Sequence, residues 1–139
     1  MRTMTLKKGE VHTFMEENQK YQIFMKPGFG FSELIDVPSL VAKCKEKWFN
    51  QTLCKVNDHL VRLGVFNEGE FHWHKHDNED EFFFVLTGEL FIELENETVA
   101  LKPHCGITIQ KGVMHRPFVK EPTVVLMVET DSVIPTGNG

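Results

Sequence analysis

The chain has 139 residues, 41% hydrophobic and 11% aromatic, which suits one domain with its own core and argues against disorder of the whole chain. Its formal net charge of −5, with Lys and Arg scattered, counts against nucleic acid or an anionic membrane as the main partner. The start of the chain lacks the apolar run of a signal peptide, and no stretch approaches the roughly 20 apolar residues of a membrane span. Three cysteines, Cys44, Cys54 and Cys105, show no CxxC spacing; buried free thiols in a cytoplasmic protein are expected.

Residues 1–33 form an N-terminal extension with two short apolar runs, 11–15 and 21–25, that are expected to be strands. Pro27, Gly28 and Gly30 mark a turn after them. Residues 34–56 are expected to be a helical lead-in. Asp36 is placed to cap it, Pro38 suits its first turn, and Val37, Leu40, Val41, Cys44 and Trp48 recur at helical spacing. That apolar stripe is expected to pack on the outside of a sheet.

From 57 to 130 the pattern is all β. Strands are expected at 60–66, 70–76, 81–86, 90–94, 98–101, 106–110, 116–119 and 123–129. Short strands punctuated this regularly indicate a β-sandwich or barrel. Residues 131–139 are a C-terminal tail.

The chemistry concentrates in four features. His74-Lys75-His76 puts two imidazoles on one face of a strand, because residues two apart point the same way. Glu81 follows a polar loop and begins an apolar strand, which favours it over Asp77, Glu79 and Asp80 as the carboxylate offered to the same site. Gly88 lies in a hairpin turn that suits positive φ. Gly112-Val113-Met114-His115 brings a third imidazole after another strand. Three nitrogens and one oxygen form a ligand set for one divalent transition metal: Fe, Mn, Ni, Zn or Cu.

The run His74-x-His76-x4-Glu81-x6-Gly88, followed by Gly112-x2-His115, resembles the two motifs of the cupin superfamily over about residues 57–130. It looks most like the small single-domain bacterial cupins of unassigned activity, often described as resembling mannose-6-phosphate isomerase. Trp73-His74-Lys75-His76 and Thr136-Gly137 carry that likeness. The resemblance implies a double-stranded β-helix, the cupin jelly-roll barrel, preceded by a short helix. It also implies metal ligation by His74, His76, Glu81 and His115. Three positions depart from the family pattern: His104 in place of a glycine, Gln110 in place of a proline, and Val119 in place of an asparagine.

His72 is in phase with His74 and His76 and is the candidate catalytic residue, as a proton shuttle or substrate contact, although a structural histidine there is the more ordinary outcome. His104 is expected to face solvent, and His12 and His59 carry no signal. Cys105 is expected to be inertly packed. Phe82, Phe84, Phe91 and Phe118 are expected to be mostly core, whereas Phe83 and Val85 share the face of Glu81 and are placed at the metal cavity.

A four-ligand centre leaves up to two positions for a substrate, or a substrate and dioxygen. The expected function is a metal-dependent oxygenase acting on a small enol, diketone or catechol-like molecule. The alternatives are a metal-dependent sugar isomerase or epimerase, or a lyase; a non-catalytic module for metal or a small ligand; and, more weakly, a purely structural barrel. A homodimer is expected; the N-terminal extension offers a strand that could cover a sheet edge in its own subunit or in a neighbour.

Overall fold

The structure is a computed structural model that describes residues 20–138; the run at 11–15 lies outside the described residues. Among the described residues ten strands and one helix follow in the order β1 (Gln22–Phe24), α1 (Val37–Lys43), β2 (Trp48–Val56), β3 (His59–Phe66), β4 (Gly69–Glu70), β5 (Glu81–Thr87), β6 (Leu90–Glu93), β7 (Thr98–Leu101), β8 (Gly106–Ile109), β9 (Arg116–Val119) and β10 (Thr123–Thr130). They form a six-stranded sheet, β1-β2-β3-β10-β5-β8, facing a four-stranded sheet, β4-β9-β6-β7. Long connections between the sheets give the all-β double-stranded β-helix with one short N-terminal helix.

Alternation along the strands explains why the sheets face each other. On β5, Glu81, Phe83 and Val85 are buried while Phe82 is exposed. On β10, Val125, Met127 and Glu129 are buried; Met127 pairs with Phe83 and Arg62. One apolar cluster fills the space between the sheets, built on Trp48, Phe71, Phe83, Leu90, Ile92, Val125 and Met127.

A second apolar cluster lies on the outer face of the six-stranded sheet. There Leu53, Leu63, Val65 and Val124 meet Ile35, Val37, Leu40 and Val41 of the helical segment. Asp36 caps α1: its carboxylate accepts from Ser39 N at 3.2 Å and from Ser39 Oγ at 2.8 Å. The helix therefore covers the sheet exterior, as its amphipathic stripe implies.

Four expectations are corrected. The helix ends at Lys43, and residues 48–56 form β2, so the 34–56 lead-in is only partly helical. Trp48 belongs to the barrel interior, stacked on Phe66 at 3.9 Å between ring centroids. Its fit to the helical period was coincidental, because aromatic contacts across the sheet outweigh local spacing. The expected 70–76 strand is reduced to β4 and one antiparallel bridge between His74 and His115. Phe82 is exposed, and Phe84, Phe91 and Phe118 are half-buried rather than core; Phe91 and Phe118 stack on each other at 4.9 Å, on the outer side of the smaller sheet.

The cysteines are free but not buried. Cys105 is exposed, in a tight turn where its amide donates to Lys102 O, and Cys44 and Cys54 are half-buried. Burial pushes the Cys44 thiol up to about 11, so it stays protonated at neutral pH. Among the described residues no helix is long and apolar enough to cross a membrane.

Candidate metal centre

His74, His76, Glu81 and His115 come together, all four buried, with one ligand atom from each lying within 4.8 Å of the others. Backbone pairing places them. His74 N donates to His115 O at 3.0 Å and His115 N to His74 O at 2.9 Å, so the two ligand-bearing segments are joined at the ligands themselves. Gly112 N donates to His76 O at 2.7 Å, fixing the turn that delivers His115. Glu81 opens β5, paired with Ile109 of β8.

The side chains are oriented for ligation. His74 Nδ1 lies 3.0 Å from His72 O, and His115 Nδ1 lies 2.9 Å from Val113 O. Each Nδ1 donates to its carbonyl, which leaves each Nε2 as a lone pair facing the centre. Glu81 Oε1 sits 3.3 Å from His76 Nε2 and 3.4 Å from His115 Nε2. His76 Nε2, His115 Nε2 and Glu81 Oε1 are buried without a hydrogen-bond partner. Buried polar atoms left in that state cost free energy, and a cation among them would satisfy all three. The donor set therefore fits a divalent transition metal.

The rival carboxylates are engaged elsewhere. Asp80 Oδ1 accepts from Lys111 N at 2.9 Å, Asp77 pairs with Lys75, and Glu79 Oε2 accepts from Ser132 Oγ at 2.6 Å.

Burial, reinforced by the neighbouring His115, pushes His74 down to about 3. Burial pushes the Glu81 carboxyl up, but the His115 and His76 imidazoles beside it prevail and hold it below the usual carboxylate range. For His74 the folded state keeps a neutral ring where the unfolded chain takes a proton, so stability falls as pH drops from about 6.5 towards 3. In metal-free protein, thermal melts should show wild type losing more stability than His74→Gln between pH 6.5 and 4. Identical pH dependence of the two would refute this.

His72, the candidate catalytic residue, is half-buried. Its Nε2 donates to Thr136 O at 2.7 Å, and its Nδ1 lies 3.3 Å from the Tyr21 hydroxyl. It thus ties the C-terminal tail to β1's flank. The tail runs past the ligands: Asn138 N donates to Lys75 O at 2.9 Å, and Pro135 lines the cavity beside His74. Gly137 has φ +95°, and a β-carbon there would lie 2.7 Å from His74 Cβ. Gly137→Val should therefore lift the tail, costing about 2 kcal/mol through strain and lost contacts. Faster cleavage by an endopeptidase specific for Glu and Asp, at Glu129 or Asp131, with a lowered Tm, would show it; unchanged cleavage would contradict it.

His104 faces solvent with φ +71°, which accounts for a glycine being usual at that position of the motif. Gly88 has φ +86°, as its hairpin turn requires.

Sequence reasoning missed a charged pair in the barrel. Arg62 on β3 and Glu129 on β10 are 1% and 2% exposed, with Arg62 Nη1 3.6 Å from Glu129 Oε2. Arg62 Nε donates to Thr52 Oγ1 at 2.9 Å and Nη2 to Asn50 Oδ1 at 2.5 Å. Burial lowers the Arg62 pKa, with Glu129 and Glu81 opposing, and burial together with the adjacent Glu81 raises the Glu129 pKa well above the usual range. The available signal was a lone charge inside each of two apolar runs, Leu60–Phe66 and Val124–Val128 with its neighbour Glu129.

A β-barrel of two facing sheets, with three imidazoles and a carboxylate converging inside it, defines a cupin. A cupin-domain family model matches residues 64–129. The chain is 42% identical over 99 residues to the uncharacterized protein YdbB of Bacillus subtilis (strain 168), covering 70% of this chain and 87% of that one. The crystal structure of a cupin-2 domain containing protein from Shewanella frigidimarina NCIMB 400 superposes with a TM-score of 0.66 at 30% identity, over 70% of this chain and 94% of the other. KdgF from Halomonas sp. shares the fold at a TM-score of 0.57 and 20% identity, over 64% of this chain and 84% of that one. The chain belongs to the cupin family.

Proposed function

We propose that His74, His76, Glu81 and His115 bind one divalent transition metal, and that this centre acts on a small molecule as an oxygenase-type enzyme. The observation carrying the reading is the convergence of four buried ligand atoms within 4.8 Å, several of them otherwise unpartnered. A bound redox-active ion would supply a Lewis acid and a meeting place for substrate and dioxygen. The chain's own contribution is to hold the imidazoles through the His72 and Val113 carbonyls, to keep water out with Phe71 and Phe83, and to close the barrel mouth with the 131–138 tail.

The test is oxygen uptake by Fe(II)- or Mn(II)-loaded protein with a panel of enols, diketones and catechols. Substrate-dependent consumption, lost in His115→Ala, is expected. Absence of uptake across these metals and substrates would overturn the oxygenase reading and favour a binding module. That second reading draws on one observation: the cavity beside His74 and Glu81 measures only about 20 Å³, space for a water-sized occupant. Sugar isomerisation or epimerisation would need a positioned acid–base group, and His72 has both ring nitrogens engaged outside the centre.

We further propose a homodimer; a monomer mass by light scattering would refute it.

A further inference from the structure

Residues 72–77 carry two of the four ligands, yet they are barely a strand. One edge of their backbone is held by the turn that delivers the third imidazole. His74 and His115 exchange both backbone hydrogen bonds, and His76 O accepts from Gly112 N at 2.7 Å. In an extended chain the next residues along turn their backbone groups to the other edge, and buried groups of that kind need partners. Here the tail supplies them. Lys75 O accepts from Asn138 N at 2.9 Å, and Asp77 N donates to Asn138 Oδ1 at 2.7 Å. Thr136 O takes a third bond, from His72 Nε2 at 2.7 Å. The tail thus stands where a neighbouring strand would be, with Pro135 in the cavity wall beside His74 and Glu81.

The four ligands are only 1–7% exposed, so an ion enters or leaves when some wall of the centre opens. The barrel walls are held by long ladders: β10 alone pairs with β3 at eight positions. Among the described residues, 134–138 are tied to the rest of the chain by three hydrogen bonds, all of them to 72–77. Just before them Val133 is buried, with its N donating to Thr130 O at 3.1 Å, and makes a fixed pivot. Segments with few hydrogen bonds and little buried apolar contact open first.

We propose that residues 134–138 are the gate for metal exchange: docked along 72–77 they trap the ion, and swung out about Val133 they admit or release it. The proposal rests on the metal-centre reading above. Passage through an open state scales uptake and release together, because both wait for the same motion. The tail then sets how fast the centre fills and empties, whereas the four ligands set how tightly it holds. Asn138 makes two of the three bonds and is the latch.

Co(II) uptake by the full chain, followed by visible absorption in stopped flow, tests this together with release into excess chelator and an equilibrium titration. Asn138→Pro removes the amide donor and the side-chain acceptor at once and touches no ligand. Both of its rate constants should exceed those of wild type by at least about tenfold, the worth of two hydrogen bonds, with the dissociation constant changed less than about threefold. Asn138→Ala keeps the amide and should raise both rates about threefold. Equal rates in wild type and Asn138→Pro would overturn the inference. So would faster release with unchanged uptake, which would make the tail a support for the ligands and not a gate. Absence of Co(II) binding by wild type would instead strike the metal-centre reading, and the gate with it.

Discussion

His76→Ala should weaken metal binding by at least about 100-fold, since loss of even an outer partner of a ligand typically costs 10- to 100-fold. The consequence for stability separates a metal centre from a decorative histidine cluster. A metal at 100 times its dissociation constant stabilises wild type by about 2.7 kcal/mol, and a 100-fold loss of affinity removes nearly all of that at the same concentration. Without metal the effect should be small or reversed in sign. Both nitrogens of His76 are buried without partners, so removing the ring also removes an unsatisfied polar group. Thermal melts with and without added metal check both halves. An equal metal-induced rise in Tm for wild type and His76→Ala would contradict the account, as would a large loss of stability confined to the metal-free variant.

Arg62→Met should be the most damaging single substitution in the barrel. It leaves Glu129 buried beside Glu81 with no counter-charge, and breaking a buried pair in this way costs about 3–5 kcal/mol. For a domain of this size that is a fall in Tm of roughly 10–20 °C. Adding Glu129→Met should recover most of the loss, because the pair is then replaced by two apolar side chains of similar length. A non-additive double-mutant cycle is the expected signature, measured by urea denaturation of all four proteins. Additive losses would mean that Arg62 and Glu129 act independently.

How far the sequence discloses this molecule depends on the range of the interactions. His74 and His76 are legible because strand alternation is local, and His115 because it follows a strand and a turn glycine in a spacing the family shares. Glu81 was separable from three neighbouring carboxylates because it opens an apolar strand, and the structure gives each rival another partner. The helix cap at Asp36 and the outer packing of α1 are likewise short-range matters.

What escaped was long-range. Trp48 fits a helical stripe in the sequence but is drawn into β2 by stacking on Phe66, eighteen residues away in the chain. The 70–76 segment alternates like a strand, yet the pairing it receives is mostly a single bridge to His115. Arg62 and Glu129 lie on strands β3 and β10, adjacent in the sheet although 67 residues separate them in the chain, and nothing local announces that they meet. The tail's role around His72 and His74 is long-range too, since Gly137 reads as an ordinary terminal glycine in the sequence but packs against His74 in the fold.

One transition metal held by His74, His76, Glu81 and His115 is what the proposed function stands on. Its most direct test is elemental analysis of the chain purified without an affinity tag from metal-supplemented culture. Wild type should carry close to one transition-metal ion per chain, and His76→Ala little. Wild type free of metal, with a Tm that no added divalent ion raises, would contradict it.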